Sequence, residues 1–461
     1  MSTGLFIFHR DFRIYDNITL NYMVKNCEEI YCCFIFNPEQ VDNINEFKSQ
    51  NSIQFMVNSL NDLSNYINDK GGTLNIFYGK PDVVIKDILS KNTIDIIGFN
   101  RDYTPFSKSR EKTINDIVND EKLQIIVKND YYLYEPGSIL VDSSQKAYTK
   151  FTPFYNMTKN YDYSKPTSLK KFNFIKSTLS SKYKFSLDEA SKFFTNNPDI
   201  LVLGSRDRAL KILREIKNDK FKNYSKDRDQ LNGYTTLLSG FIKFGCVSVR
   251  ECADAFNKND ALYRQLIWRE FYAHLLNYFP HVLKGPLKDK YSKIKWSRSK
   301  NNFDAWKNSS TGFPIVDAAM REINTTGYMH NRARLISASF LVKTLLINWQ
   351  WGEKYFAQNL LDYDPASNNG NWQWVASTGA DSQPYFRVFN PWTQSENFDK
   401  DCNYIKKWLP ELNELPPKVI HNWHKYYSEY KDIVNYPEPI VDHSEKRLET
   451  IEAYKEIINT N

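Results

Sequence analysis

Five short apolar runs divide the first 130 residues at a regular rhythm: Gly4–Phe8 (GLFIF), Ile30–Phe36 (IYCCFIF), Leu74–Tyr78 (LNIFY), Ile94–Phe99 (IDIIGF) and Leu123–Val127 (LQIIV). Near-continuous apolarity, rich in β-branched and aromatic residues, predicts strands buried on both faces. Helical patterns lie between them, as over Ile53–Tyr66, where Phe55, Leu60, Leu63 and Tyr66 recur at three-to-five spacing. Alternation of this kind folds into a doubly wound parallel sheet, an α/β Rossmann-like N-terminal domain expected over residues 1–130. Ligands on such sheets sit beyond the C-terminal strand ends. Those ends carry His9–Arg13 (HRDFR), Asn37–Pro38 and Asn100–Tyr103 (NRDY). The absence of GxGxxG and of a P-loop argues against a dinucleotide or nucleoside-triphosphate site of the usual kind. Arg10, Asp11 and Arg13 fit either a ligand site or an interdomain salt-bridge cluster, and we read them as the second.

All ten tryptophans lie at or after residue 268, so the two parts of the chain are built for different tasks. Residues 131–200 are polar, rich in Lys, Ser and Tyr and weakly periodic, which predicts an interdomain connector over the surface. Residues 201–461 read as helical, with periodic segments at 205–218, 246–256, 260–278, 313–325, 330–350 and 352–361. A net charge of +7 suits a polyanionic partner. No apolar run approaches the roughly 20 residues of a membrane span, and mean hydropathy is −0.58. The six cysteines show neither CxxC nor metal-ligand spacing and read as reduced core thiols, with no metal expected. No secretory leader precedes the first apolar run, so a cytoplasmic or nuclear protein is expected, with the compartment otherwise open.

Four stretches of the helical part carry chemistry. Asp362–Trp374 (DYDPASNNGNWQW) sets two carboxylates, a pair of amides and two tryptophans around Gly370. Gly and Asn disfavour a continuous helix, so a bend that wraps a flat, polar-edged ring is expected, against a capped corner with Trp372 and Trp374 as ordinary core. Tyr234–Ser248 gathers hydroxyls ahead of a helix, which serve equally for capping or for phosphate. Gln265, Trp268, Arg269 and Tyr272 share a helix face at i, i+3, i+4 and i+7, suited to a stacked base beside a phosphate or to a plain Trp–Arg pair. In the stretch from Gly327, Asn331, Arg334 and Leu335 share a face and Arg332 points elsewhere. A buried Arg334 needs a carboxylate, with Asp362 or Asp364 the candidates.

These stretches, with HRDFRIYDN at 9–17, TGFPIVDAAMREINTTGYMHN at 311–331 and YFRVFNPWTQSENFD at 385–399, together resemble the photolyase/cryptochrome family across nearly the whole chain. The likeness is greatest to its class I cyclobutane-dimer photolyases. It implies an α/β antenna domain, the connector, and an all-helical domain (201–461) holding FAD. By matched position Tyr224, Thr235, Thr236, Leu238 and Ser239 would contact the FAD phosphates and ribose. Arg269, Asn331, Arg334, Asp362, Asp364 and Asn368 would surround flavin and adenine, with Asn368 facing flavin N5. Trp372, Trp349 and Trp306 would relay electrons between surface and flavin. Trp268 and Trp374 would hold a flipped-out pyrimidine dimer, with Gln265 facing the lesion. Arg228, Arg332 and Arg387 would lie near DNA phosphates.

The implied activity is that of a deoxyribodipyrimidine photo-lyase, a carbon–carbon lyase. Reduced FAD, excited by light, would split a dimer in UV-damaged DNA, the enzyme acting as a monomer without a membrane. Two departures keep a blue-light signalling cryptochrome and a (6-4) photolyase as alternatives. Gln265 stands where a glutamate is typical of dimer photolyases, and Leu335 where some members carry Met. Against the (6-4) subgroup, its paired histidines are replaced by Asn331 and Leu335. Leu237 replaces an arginine that some members carry in the phosphate motif. Thr104 replaces a glutamate of the folate pattern, which leaves a folate-type or deazaflavin-type antenna open.

Overall fold

In the computed structural model, which describes residues 2–459 apart from 142, 234 and 258, strands β1 (Thr3–Phe8), β2 (Glu29–Phe36), β3 (Leu74–Tyr78), β4 (Ile96–Arg101) and β5 (Gln124–Asn129) form one parallel sheet in the order β3-β2-β1-β4-β5. β1 is buried along its whole length, as its unbroken apolarity requires. The strand order reverses at β1, so the ends of β1 and β4 open the crevice where this topology binds ligands. One face of the sheet packs on Val84, Ile85, Ile88, Ile114 and Ile117. The other packs on the Gln50–Asn68 helix and then runs without a break into the helical half. Phe244 shows how: its ring stacks on Phe12 at 5.9 Å and on Phe55 at 5.4 Å. The two halves therefore share apolar core.

A polar seam flanks that core. Arg13 reaches Asp130 at 2.5 Å, and Arg250 bridges Asp130 at 2.7 Å and Asp16 at 2.9 Å. Ser248 also donates to Asp16 while capping the Val249–Phe256 helix in a capping box with Glu251. Gly245 has φ +62°, and a Cβ there would sit 2.5 Å from the Arg10 carbonyl oxygen. Only glycine permits that approach. The interdomain reading of Arg13 holds. Asp11 instead ties its own loop, accepting from the His9 backbone and from Asn17 and Asn100.

The connector does more than cross the surface. Ile30 donates to Asn173 and Ile175 donates back, Tyr78 donates to Tyr183, and Phe185 donates to Ile76. The chain thereby pairs with β2 ahead of β3 and then covers the outer edge of β3, satisfying backbone groups that would otherwise be left unpaired. A helix at Phe151–Thr158 follows a short β-ribbon.

In the helical half the expected single helix over 330–350 is two. Asn331–Ser339 runs into a π turn at Phe340–Thr344, Leu346 takes φ +52°, and a new helix starts at Trp349 under an Asn348 cap. Apolar periodicity continues across the break, so the pattern hid it. The expected bend at Asp362–Trp374 is corrected as well: Pro365–Val375 is one continuous helix with Asp364 as its cap. Gly370 is tolerated because the Tyr272 ring lies against it; a Cβ there would be 2.1 Å from Tyr272 Cδ1. A tertiary contact outweighs a propensity cost of about 1 kcal/mol. Among the described residues no helix is long and apolar enough to cross a membrane, and no three metal-ligating side chains cluster. All six cysteines are buried and free.

Candidate functional site

Helices 331–339, 349–359 and 365–375 enclose a slot of about 110 Å³ lined by Asn331, Arg334, Asp362, Asp364, Asn368 and Trp372, with Leu335, Ala338, Phe356 and Val375 as its apolar side. Three of its polar groups are fixed in place. Arg334 meets Asp362 at 2.9 Å, donates through Nε to the Met329 carbonyl at 2.8 Å, and lies over the Tyr328 ring. Burial works against its charge, and Asp362 more than compensates, holding the guanidinium above its ordinary pKa. Asn368 donates its amide N–H to the Glu353 carbonyl at 3.0 Å, which leaves its carbonyl oxygen for the slot. Burial would neutralise Asp364, but Lys243, Arg10 and Arg269 keep its pKa low. A pocket with apolar walls, one ion pair and one oriented amide suits a flat ring with hydrogen-bonding edges.

Tyr363 and Asp364 also line a second cavity, of about 410 Å³, at the ends of β1, β2 and β4. Its lining includes Phe34, Phe36, Phe47 and Phe106 together with Arg10 and Arg110. Arg10 is held by Asp102 at 2.7 Å, yet its Nη1 is buried without a hydrogen-bond partner, as is His9 Nδ1. Arg10 thus serves both readings, fixed by an ion pair and facing a cavity.

Not every expected residue joins the slot. Arg269 donates to the Tyr131 carbonyl at 2.8 Å and covers the Tyr132 ring, acting on Asp364 through its charge. Leu238 has a buried side chain, so only its backbone can serve a ligand. Tyr234 lies outside the described residues. The Leu238 backbone N–H donates to Thr236 Oγ1, Thr235 pairs with the Tyr328 hydroxyl, and Ser239 is exposed. The Ser239–Lys243 helix has no side-chain cap, so capping does not occupy these hydroxyls. Tyr224 lies with Arg228 and Asp229. Arg332 points away, as the helical spacing predicts, onto Asp229 at 2.8 Å and over Phe398.

Trp268 stacks on Phe151 at 3.7 Å with an interplanar angle of 3°, so one indole face is taken. Gln265, one turn before it, makes only a 3.5 Å contact with the Ala261 carbonyl. Trp374 is half-buried, and Arg387 is exposed beside the equally exposed Phe386. Among the relay candidates Trp372 and Trp349 are 2% exposed and Trp306 is 0% exposed. All three rings are buried, so none of the three is itself the surface end of a relay. Trp296, passed over in the sequence, is half-buried, and the adjacent Ser297 pairs with Leu346 and Ile347 just before Trp349. Glu353 was missed too: its role rests on a backbone carbonyl, which no side-chain pattern announces.

Comparison with known proteins decides the family. Residues 262–456 match the model described as the FAD binding domain of DNA photolyase, and residues 5–170 match that described as DNA photolyase. Deoxyribodipyrimidine photo-lyase of Escherichia coli (strain K12) is 32% identical over 480 residues, spanning 99% of both chains. The chain belongs to the DNA photolyase family. Two solved photolyases share its fold. The archaeal photolyase from Sulfolobus tokodaii, described with two FAD molecules, is 37% identical with a TM-score of 0.86, covering 98% of this chain and 100% of that one. The class III photolyase from Agrobacterium tumefaciens is 30% identical with a TM-score of 0.91, covering 100% and 98%. Against FAD, the donor set of this photolyase fits: Asn368, the Arg334–Asp362 pair and Asn331 face one slot, and the hydroxyls of Thr235 and Thr236 are not engaged in helix capping.

Proposed function

We propose that this photolyase repairs UV-damaged DNA by light-driven electron transfer, acting on a cyclobutane pyrimidine dimer turned out of the duplex. The reading is carried by the convergence of Asn368, Arg334, Asp362 and Trp372 on one slot. Held by these residues, reduced FAD would supply a light-driven electron that opens the dimer ring with no net redox change. The chain's own residues set the conditions. Asn368, fixed by the Glu353 carbonyl, would offer the flavin a neutral oxygen where an aspartate would place a negative charge. The Arg334–Asp362 pair would hold the ring system with its own charges balanced. Trp372 and Trp349, with Trp306 alongside, pass electrons inward to restore the reduced cofactor.

A lesion must leave the base stack to approach a buried ring, at a cost of a few kcal/mol. Trp268, half-buried and braced by Phe151, and Trp374 would supply stacking surfaces that offset it. Gln265 beside Trp268 hydrogen-bonds without donating a full proton. Arg387 contacts backbone phosphate most readily, since Arg332 must first exchange Asp229 for DNA. The class I likeness is part of this proposal, because a class III enzyme is among the structural relatives. A second, light-harvesting chromophore of folate or flavin-like type would occupy the aromatic cavity beyond the strand ends, its anionic groups toward Arg10 and Arg110.

The test is to photoreduce the purified holoenzyme, illuminate it with a thymine-dimer oligonucleotide and follow recovery of thymine absorbance. Recovery should depend on light and fall at least about tenfold in Asn368→Asp and Trp268→Ala, the loss expected when one transition-state or stacking contact is removed. No recovery from fully reduced enzyme would overturn dimer repair and turn attention to (6-4) lesions or signalling.

A further inference from the structure

Trp306 is buried completely, yet its ring neighbours form a path outward. Phe303 and Phe356 stack near-parallel to it at 5.9 and 6.0 Å, with interplanar angles of 17° and 12°. Two readily oxidised rings meet it at steep angles instead: Trp372 at 6.3 Å and Tyr355 at 5.6 Å. The Trp306 indole N–H donates to the Ser337 carbonyl at 3.0 Å. An amide carbonyl does not take up a proton, so an oxidised Trp306 keeps its positive charge in an uncharged, dry surrounding. That is costly, and the site favours passing the charge on. Tyr355 differs on the point that matters. It is half-buried, and its hydroxyl donates to Asn324 Oδ1 at 2.7 Å, where Asn324 is exposed. A phenol that gives up an electron there can release its proton to water.

We propose that Tyr355 is a second surface electron donor, feeding the flavin through Trp306 and Trp372 in parallel with the route through Trp349. In each turn the Tyr355 phenol loses one electron, which passes to Trp306, then to Trp372 and on to the photoexcited oxidised cofactor. Its hydroxyl proton passes directly to water at the half-buried phenol, beside the exposed Asn324, and a neutral tyrosyl radical is left. An external thiol reductant returns the electron, and water returns the proton. This rests on Trp372 being the ring next to the flavin, so the test separates the two claims.

FAD-loaded protein carrying ring-deuterated tyrosine is illuminated and examined by electron paramagnetic resonance, as wild type and as Trp349→Phe, Tyr355→Phe and Trp372→Phe. The branch predicts a tyrosyl signal, narrowed by the ring deuterium, that survives in Trp349→Phe and disappears in Tyr355→Phe. Tyr355→Phe keeps the ring contact with Trp306, and an unchanged flavin absorbance spectrum reports an intact fold. A tyrosyl signal that is absent throughout, or that persists in Tyr355→Phe, overturns the branch while leaving Trp372 untouched. Photoreduction that continues undiminished in Trp372→Phe instead overturns the gateway role on which the branch depends.

Discussion

The buried carboxylates of the two halves are stabilised by opposite means. Along the seam and the sheet crevice, Asp130 and Asp102 are buried, which alone would favour protonation, but Arg13, Arg250 and Arg10 hold both below the usual carboxylate range. Although Lys243, Arg10 and Arg269 hold Asp364 down, at three other acids of the helical half burial prevails. It pushes Glu353 up to about 7 against a single Asn369 hydrogen bond, and Asp317 up to about 6 despite the donors around it. Glu270, wholly buried, also reaches about 7. Asp130 and Asp102 depend on charge compensation; Glu353, Asp317 and Glu270 rest mainly on hydrogen bonds, and their protonation follows pH.

The signs follow from linkage. A seam carboxylate, depressed on folding, contributes stability above the ordinary value of 3.8, and that contribution is lost as pH falls through the lower folded value. A helical-half acid, raised on folding, contributes fully below 4.5, and its contribution is lost as pH rises toward about 7. The comparison breaks most visibly at the seam. Asp130→Asn leaves Arg13 and Arg250 short of a charge and should cost about 3–5 kcal/mol, read from chemical denaturation at neutral pH. An unchanged midpoint would mean that the two halves do not rely on this network. Glu353→Gln should act in the other direction. At pH 8 it should stabilise by up to about 3 kcal/mol, since each tenfold change in proton affinity on folding is worth roughly 1.4 kcal/mol, and near pH 4.5 it should change little. Denaturation curves at both pH values check this, and a difference independent of pH would refute the protonation account. The smallest effect is expected from Ser248→Ala, which removes a helix cap and one donor to Asp16, for about 1–2 kcal/mol. Combined with Asp130→Asn it should fall short of additivity, since both variants loosen the same network.

Much of this was readable in advance, for local reasons. The five strands announce themselves because burial on both faces demands unbroken apolarity. Asn331, Arg334 and Leu335 line the slot because helical spacing alone sets their common face. What escaped depends on partners distant in sequence. Gly370 sits inside a helix because Tyr272 packs against it from nearly a hundred residues away. The break at 345–348 interrupts a run whose apolar pattern never changes. Nothing in the sequence singles out Trp296 beside Trp306, and only the packed structure shows Trp306 sealed and Trp296 half-buried.

The shared wall of Tyr363 and Asp364 has its own consequence. Two compartments separated by one short stretch of chain cannot drift apart in relative position, so the distance and angle between any molecules they hold are inherited from a single loop. A substitution at either residue reaches both rooms at once. Any molecule held in the sheet-side cavity and a flavin held in the slot would therefore be loosened or shifted together by such a mutation.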